Sequence, residues 1–243
     1  MLKPRLTRII KEIFDTGGNH DLERDGTIRD KLLDFLREED HLILPDNDQN
    51  ITLAKNAIYF IDADDAYAKT TKSKEAHKHA SPLLHRLMET EPEDWNHYDL
   101  NFAVSSINFT ETIGQAIDLA KKANQSIINF KRIKSTDMIE AALACNVCAR
   151  ILNAKFFEEY ESHQLTRQFD KNLNILEHIV GYNKDLELML LVTKIRRKIF
   201  NHDLSDIFVL CEQLIPQYDE KIGEMMRNEV EFYIEMDVFD MDA

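Results

Sequence analysis

Residues 30–61 read DKLLDFLREEDHLILPDNDQNITLAKNAIYFI. Leu32, Leu33, Phe35 and Leu36 continue an apolar helical stripe that begins at Ile28, with Thr27 placed to cap it and the pattern running to about Glu39. The period then changes. Leu42 and Leu44 alternate with their neighbours, Pro45 to Asn50 is polar and rich in turn formers, and Ile51 and Leu53 alternate again, which predicts a two-stranded hairpin over 42–53. Helical spacing returns with Ala57, Ile58, Phe60 and Ile61.

Upstream, Leu6, Ile9, Ile10, Ile13 and Phe14 predict an amphipathic helix over 5–15, stopped by Gly17-Gly18. Residues 19–26 offer Leu22 as their one large apolar side chain and read as a loop or a single turn. The order helix, helix, hairpin, helix over residues 5–61 resembles a winged-helix module, and residues 30–61 look like that family's recognition helix, wing and following helix. Asp40-His41 and Ala57 stand where the family places glycine. The resemblance implies duplex-DNA binding, with Arg29, Lys31 and Arg37 facing phosphates or bases and Lys55 adding a backbone contact.

Residues 69–80, KTTKSKEAHKHA, carry no large apolar side chain, and Pro82 follows. A linker is therefore expected at 69–81, between a winged-helix-like domain at 1–68 and an all-α domain at 82–243. In the latter, apolar stripes predict about seven helices, near 82–90, 94–109, 111–130, 136–159, 162–180, 184–200 and 204–236, the last broken near Pro216. Possible hairpins at 94–130, 136–180 and 184–215 differ in length. The expected fold class is mainly α: a small α+β domain with one hairpin, then a helical-hairpin bundle or short solenoid.

A winged-helix-like start followed by helical hairpins, with EDWNHYDL at 93–100 similar to a W-x-x-Y-[ED]-L stretch, resembles the Rgg-like peptide-sensing regulators. That implies a C-terminal domain for sensing or dimerisation and a possible homodimer. Asn101, Ser105 and Asn108, and Asn146, Arg150 and Asn153, recur at spacings of three, four or seven, which puts each set on one helix face. A carboxamide can hold both polar groups of an extended peptide, so these residues are candidate contacts for a peptide or protein partner; the alternative is plain exposed helix positions.

Charge narrows the choice. The net charge is −14, with 13 Lys/Arg against 16 Asp/Glu in residues 1–80 and 17 against 28 in residues 81–243. A field of that sign repels nucleic acid from most of the surface, which confines any DNA contact to the N-terminal part. Three cysteines without a disulfide framework suit a reducing compartment. With no secretory apolar core at the N-terminus and no run of 18 apolar residues, a cytoplasmic, non-membrane location is expected.

Several patterns suggest chemistry. Cys145-x-x-Cys148 lies in AALACNVCARIL, apolar on nearly every side, and reads as core rather than a zinc half-site. His77, His79 and His85 read as a polar spacer. Asp46-x-Asp48-x-Asn50 copies the start of a calcium loop, but Ile51 and Ala57 stand where glycine and glutamate are needed, so turn formation explains it. Arg197 followed by His202 resembles the R-x4-6-H motif of HEPN-type ribonucleases, which implies Arg197 on phosphate and His202 in acid–base chemistry; a basic last helical turn is the other reading. After Arg227 the tail NEVEFYIEMDVFDMDA has six acids and no base, and reads as a docking strip for a basic groove or as a fraying helix end.

The leading expectation is a non-enzymatic, winged-helix-like DNA-binding regulator without cofactor or metal. An acidic protein-binding adaptor or inhibitor, such as an antitoxin, immunity or phage anti-defence factor, is the alternative. A HEPN-like ribonuclease using Arg197 and His202 is the third reading.

Overall fold

The structure is a computed structural model that describes residues 2–14, 22–40, 48–70, 72–131, 135–158, 162–217 and 220–241. Among them there are eleven α-helices and no strand. The chain divides into two compact units, residues 1–111 and 112–243.

The first unit holds α1 (Pro4–Phe14), α2 (Leu22–Asp40), α3 (Gln49–Thr70), α4 (Ser73–Glu89) and α5 (His97–Ser105). Short 3-10 turns at Pro92–Asp94 and Ser106–Phe109 flank α5. Leu6, Ile9, Ile10 and Ile13 of α1 are buried, as the periodicity predicts, together with Ile28, Leu32 and Phe35 of α2. Phe60 and Phe109 have ring centroids 5.5 Å apart, and Phe14 and Phe102 stand edge to face at 5.2 Å.

The winged-helix expectation is overturned. Ile51 and Leu53, read as the second wing strand, lie inside α3, and residues 41–47, with the first strand and most of the tip, lie outside the described residues. The cause is local. The Asp48 carboxylate accepts the backbone N–H groups of Asn50 at 2.8 Å and Ile51 at 3.3 Å, and the Asp48 carbonyl accepts the Thr52 N–H at 3.0 Å. A polar run read as a turn thus ends in a helix cap, and those N–H groups go to the first turn of a helix. Asn50 is itself buried, its carboxamide oxygen accepting the Lys3 backbone N–H at 2.8 Å. Residues 22–26, read as loop, are the first residues of α2, in which Gly26 has open space around it.

Residues 69–81, read as a linker, hold the end of α3 and the start of α4, and these two helices pack extensively on each other. Ala76 and Ala80 sit four residues apart and are fully buried, as are Ala54, Ala57 and Ala63 on α3. Small side chains on facing helices let the backbones approach, so this stretch buries a face without any large apolar residue. α4 continues through Pro82.

The second unit holds α6 (Ile113–Phe130), α7 (Asp137–Phe157), α8 (Ser162–Tyr182), α9 (Glu187–Phe200), α10 (Ile207–Gln217) and α11 (Glu220–Met241). α7 is its centre, packing against α6, α8 and α9, with Leu143, Ala144, Val147, Cys148, Ile151 and Leu152 buried. α8 adds Leu165, Phe169, Leu176 and Ile179; α11 adds Met226, Val230 and Tyr233. The helices here follow the predicted spans: α6, α8 and α9 carry clear 3.6-residue stripes, and α7 is apolar on nearly every side. No described helix is long and apolar enough to cross a membrane.

Candidate functional site

A cluster of polar side chains in the second unit lies at the C-terminal end of α9. That end is closed by a Schellman motif: the His202 N–H donates to the Ile199 carbonyl at 3.0 Å and the Asp203 N–H to the Lys198 carbonyl at 2.9 Å. His202 occupies the left-handed position, with φ 56°, where glycine or asparagine is usual. The contact that commonly joins the residues flanking such a motif is here an ion pair, Lys198 Nζ to Asp203 Oδ2 at 2.9 Å. The Asp203 carboxyl is pushed below its ordinary value by the hydrogen bond from the Ser205 hydroxyl and by that from Lys198.

The turn turns His202 towards α7. Lys155 Nζ stands 2.6 Å from His202 Nε2, also donates to the Phe200 carbonyl, and lies 4.9 Å above the Phe200 ring. On the same ring the Arg197 guanidinium sits 5.2 Å from the centroid, and it lies 5.3 Å from that of Phe169. Its charge is met by Asp170 Oδ1 at 2.7 Å.

The arrangement is thus a guanidinium, an ammonium and an imidazole around one aromatic floor. Chemically it suits an anion, provided Arg197 exchanges Asp170 for the ligand. Of the two residues singled out from sequence here, Arg197 is four-fifths buried and His202 exposed. Lys155, Phe169 and Asp170 carried no local signal, because they join the cluster from α7 and α8 through contacts across 27 to 47 positions of chain.

The residues expected on DNA are placed differently. Arg29 forks onto Asp62 through Nε at 2.7 Å and Nη2 at 3.4 Å, Lys31 pairs with Glu12 at 2.8 Å, and Arg37 pairs with Asp34 at 2.8 Å. Lys55 is an exposed residue within α3, with no wing beside it among the described residues. The two sets proposed for a peptide or protein partner lie one in each unit. Asn101, Ser105 and Asn108 are half-buried in the first unit, Asn101 bonding its own helix through His97 at 3.2 Å. Arg150 and Asn153 are buried inside α7 of the second, with Asn146 half-buried nearby in sequence. The Trp95 to Leu100 stretch is a helix start: Asn96 accepts the Tyr98 and Asp99 N–H groups, and Asp99 accepts that of Asn96 at 3.1 Å, a reciprocal capping box.

The remaining motifs take structural places. Cys145 and Cys148 are buried in α7, and burial pushes the Cys148 thiol far up. His77, His79 and His85 ride on α4, His77 Nδ1 lying 3.2 Å from the Phe109 carbonyl and His85 pairing with Glu89 at 3.3 Å. No group of three or more metal-ligating side chains comes together among the described residues. No family model, curated protein or solved structure matches the chain.

Proposed function

We propose that this protein is a non-enzymatic adaptor or inhibitor that binds a basic protein partner through the acidic surface of its N-terminal unit. One observation carries the reading. All four cations of α2, namely Arg24, Arg29, Lys31 and Arg37, are held by the chain's own carboxylates, Asp25, Asp62, Glu12 and Asp34. Their charge is spent internally, and residues 1–111 still hold 22 Asp/Glu against 14 Lys/Arg. The field left over attracts a basic surface and speeds its encounter.

The test starts with pull-down from the native host. A stoichiometric, basic partner is expected, and its affinity for the full chain should fall as salt is raised. Recovery of no stoichiometric partner, or of one indifferent to salt, defeats the reading.

A second reading, the HEPN-like ribonuclease, is favoured by the convergence of Arg197, Lys155 and His202 around Phe200. His202→Ala and Arg197→Ala should then each abolish RNA cleavage. Cleavage that survives both substitutions removes it.

A further inference from the structure

The six helices of the second unit are electrically lopsided. Residues 112–200 hold 14 Lys/Arg against 10 Asp/Glu, whereas residues 201–243 hold 2 against 12. Ion pairs inside the unit absorb part of this. All four cations of α9 are taken: Lys194 by Glu177, Arg196 by Glu229, Arg197 by Asp170 and Lys198 by Asp203. Both acids of α8 are consumed in the process, since they are Asp170 and Glu177. What is left over is therefore sorted by helix.

On α8 the leftover is basic. His163, Arg167 and Lys171 stand four residues apart on an exposed face and, with Thr166, Asp170 and Asn174, line an open groove along the helix. Among the described residues no carboxylate pairs with Arg167 or Lys171. On α11 the leftover is acidic. Met226, Val230 and Tyr233 face inward, which turns Glu224, Asn228, Glu231 and Glu235 outward along one exposed row, and among the described residues no cation pairs with Glu224, Glu231 or Glu235. Residues four apart on a helix are separated by about 6 Å along its axis, so Arg167/Lys171 and Glu231/Glu235 are two rows of matched pitch and opposite charge.

We propose that these rows pair between two copies of the chain, α8 of each against α11 of the other. An isologous two-fold dimer needs a self-complementary surface, in which each copy offers both halves of the contact; a chain with a basic helix and an acidic helix in one unit offers both. The acidic strip legible in the C-terminal sequence thereby finds its basic groove in a second copy. α10, which packs on α11, adds exposed apolar area through Phe208 and Val209, 43% and 54% accessible. The assembly is electrostatic in its specificity, so it weakens with salt.

The experiment is a charge swap on the full-length protein, read by sedimentation velocity at low and high salt. Wild type is expected to dimerise reversibly at low salt and to dissociate as salt rises. Arg167→Glu with Lys171→Glu makes both rows acidic, and Glu231→Lys with Glu235→Lys makes both basic. Each double variant alone should have its dimer Kd raised about tenfold or more, because an exposed pair contributes up to about a factor of five and is here turned into repulsion. An equimolar mixture of the two should restore the dimer as a heterodimer, since each α8 then meets an α11 of opposite charge. All four positions are exposed, and the neutral pairs Arg167→Gln/Lys171→Gln and Glu231→Gln/Glu235→Gln serve if a reversal disturbs folding; each should still weaken the dimer.

The proposal is overturned if wild type stays monomeric at low salt, if its dimer ignores both reversals, or if mixing restores nothing. It also falls if Arg167→Glu/Lys171→Glu leaves the oligomeric state unchanged while abolishing retention of a labelled single-stranded RNA or of a polyglutamate peptide, for then the basic row serves that partner instead.

Discussion

Arg150, fully buried in the middle of α7, is paired with Glu158 eight residues on, and the other oxygen of the same carboxylate accepts the Ile113 backbone N–H at 2.9 Å. One carboxylate therefore neutralises a buried guanidinium and occupies an orphan donor at the start of α6. Removing Glu158 takes an ion-pair partner from the buried guanidinium and the acceptor from the Ile113 N–H. Glu158→Ala should cost about 3–5 kcal/mol, the range for breaking a buried pair from one side, whereas Arg150→Met, which takes the buried charge away, should cost clearly less. Urea denaturation of the two variants checks the order; equal losses would contradict it.

Asp48→Ala tests the helix that replaced the wing. Losing the cap should destabilise by about 1 kcal/mol, and Asp48→Asn, which keeps an accepting oxygen, by much less. The Asp48 carboxyl is held below its ordinary value of 3.8, first of all by the N–H it accepts from Asn50. Its folded pKa is depressed, so its contribution is complete above the unfolded value and is lost as pH falls from there through the folded value. The stability difference between wild type and Asp48→Ala should therefore hold above about pH 5 and shrink below pH 4.

Arg29 and Asp62 should couple in a double-mutant cycle by about 0.5–1 kcal/mol, and the coupling should fade with salt because both side chains are partly exposed. Zero coupling at low salt would mean that Arg29 is free for other partners.

Asp206 holds φ 57°, a left-handed conformation that costs an L-residue and costs glycine nothing. Asp206→Gly should raise stability by about 0.5–1 kcal/mol in thermal unfolding, since the native strain relieved exceeds the unfolded-chain entropy that glycine adds. A fall in midpoint would refute it.

The three thiols should be silent in the native protein. All are buried, and burial pushes those of Cys148 and Cys211 upward, away from the reactive thiolate. A disulfide-exchange reagent at neutral pH should modify them only on unfolding; fast labelling of native Cys145 or Cys148 would mean that α7 opens.

Among these residues, the ones legible in the sequence were those whose partners lie within a helical turn or two. The inward stripe of α8, from Leu165 through Phe169 and Leu176 to Ile179, follows from a period of 3.6, as does that of α1. Cys145 and Cys148 were readable as core because AALACNVCARIL is apolar on nearly every side. The alternation of Leu42, Leu44, Ile51 and Leu53 misled because a short apolar alternation carries little information against a cap: Asp48 starts a helix by accepting two N–H groups, and those two bonds settle the conformation of Ile51 and Leu53. The stretch at 69–80 misled because burial of Ala76 and Ala80 needs a facing helix with small residues of its own, which no local window contains.

By itself, then, the sequence determined the helical class, most helix spans, the acidic balance and the core faces, since all of these depend on side-chain spacing along one element. Tertiary structure decided which charges remain for a partner. Arg29 and Lys31 read as cations open to DNA until Asp62 and Glu12 arrive from α3 and α1, and Arg150 looks like a contact residue until Glu158 closes on it. An ion pair forms between side chains near in space, and only the packed helices bring residues 33 positions apart within 3 Å.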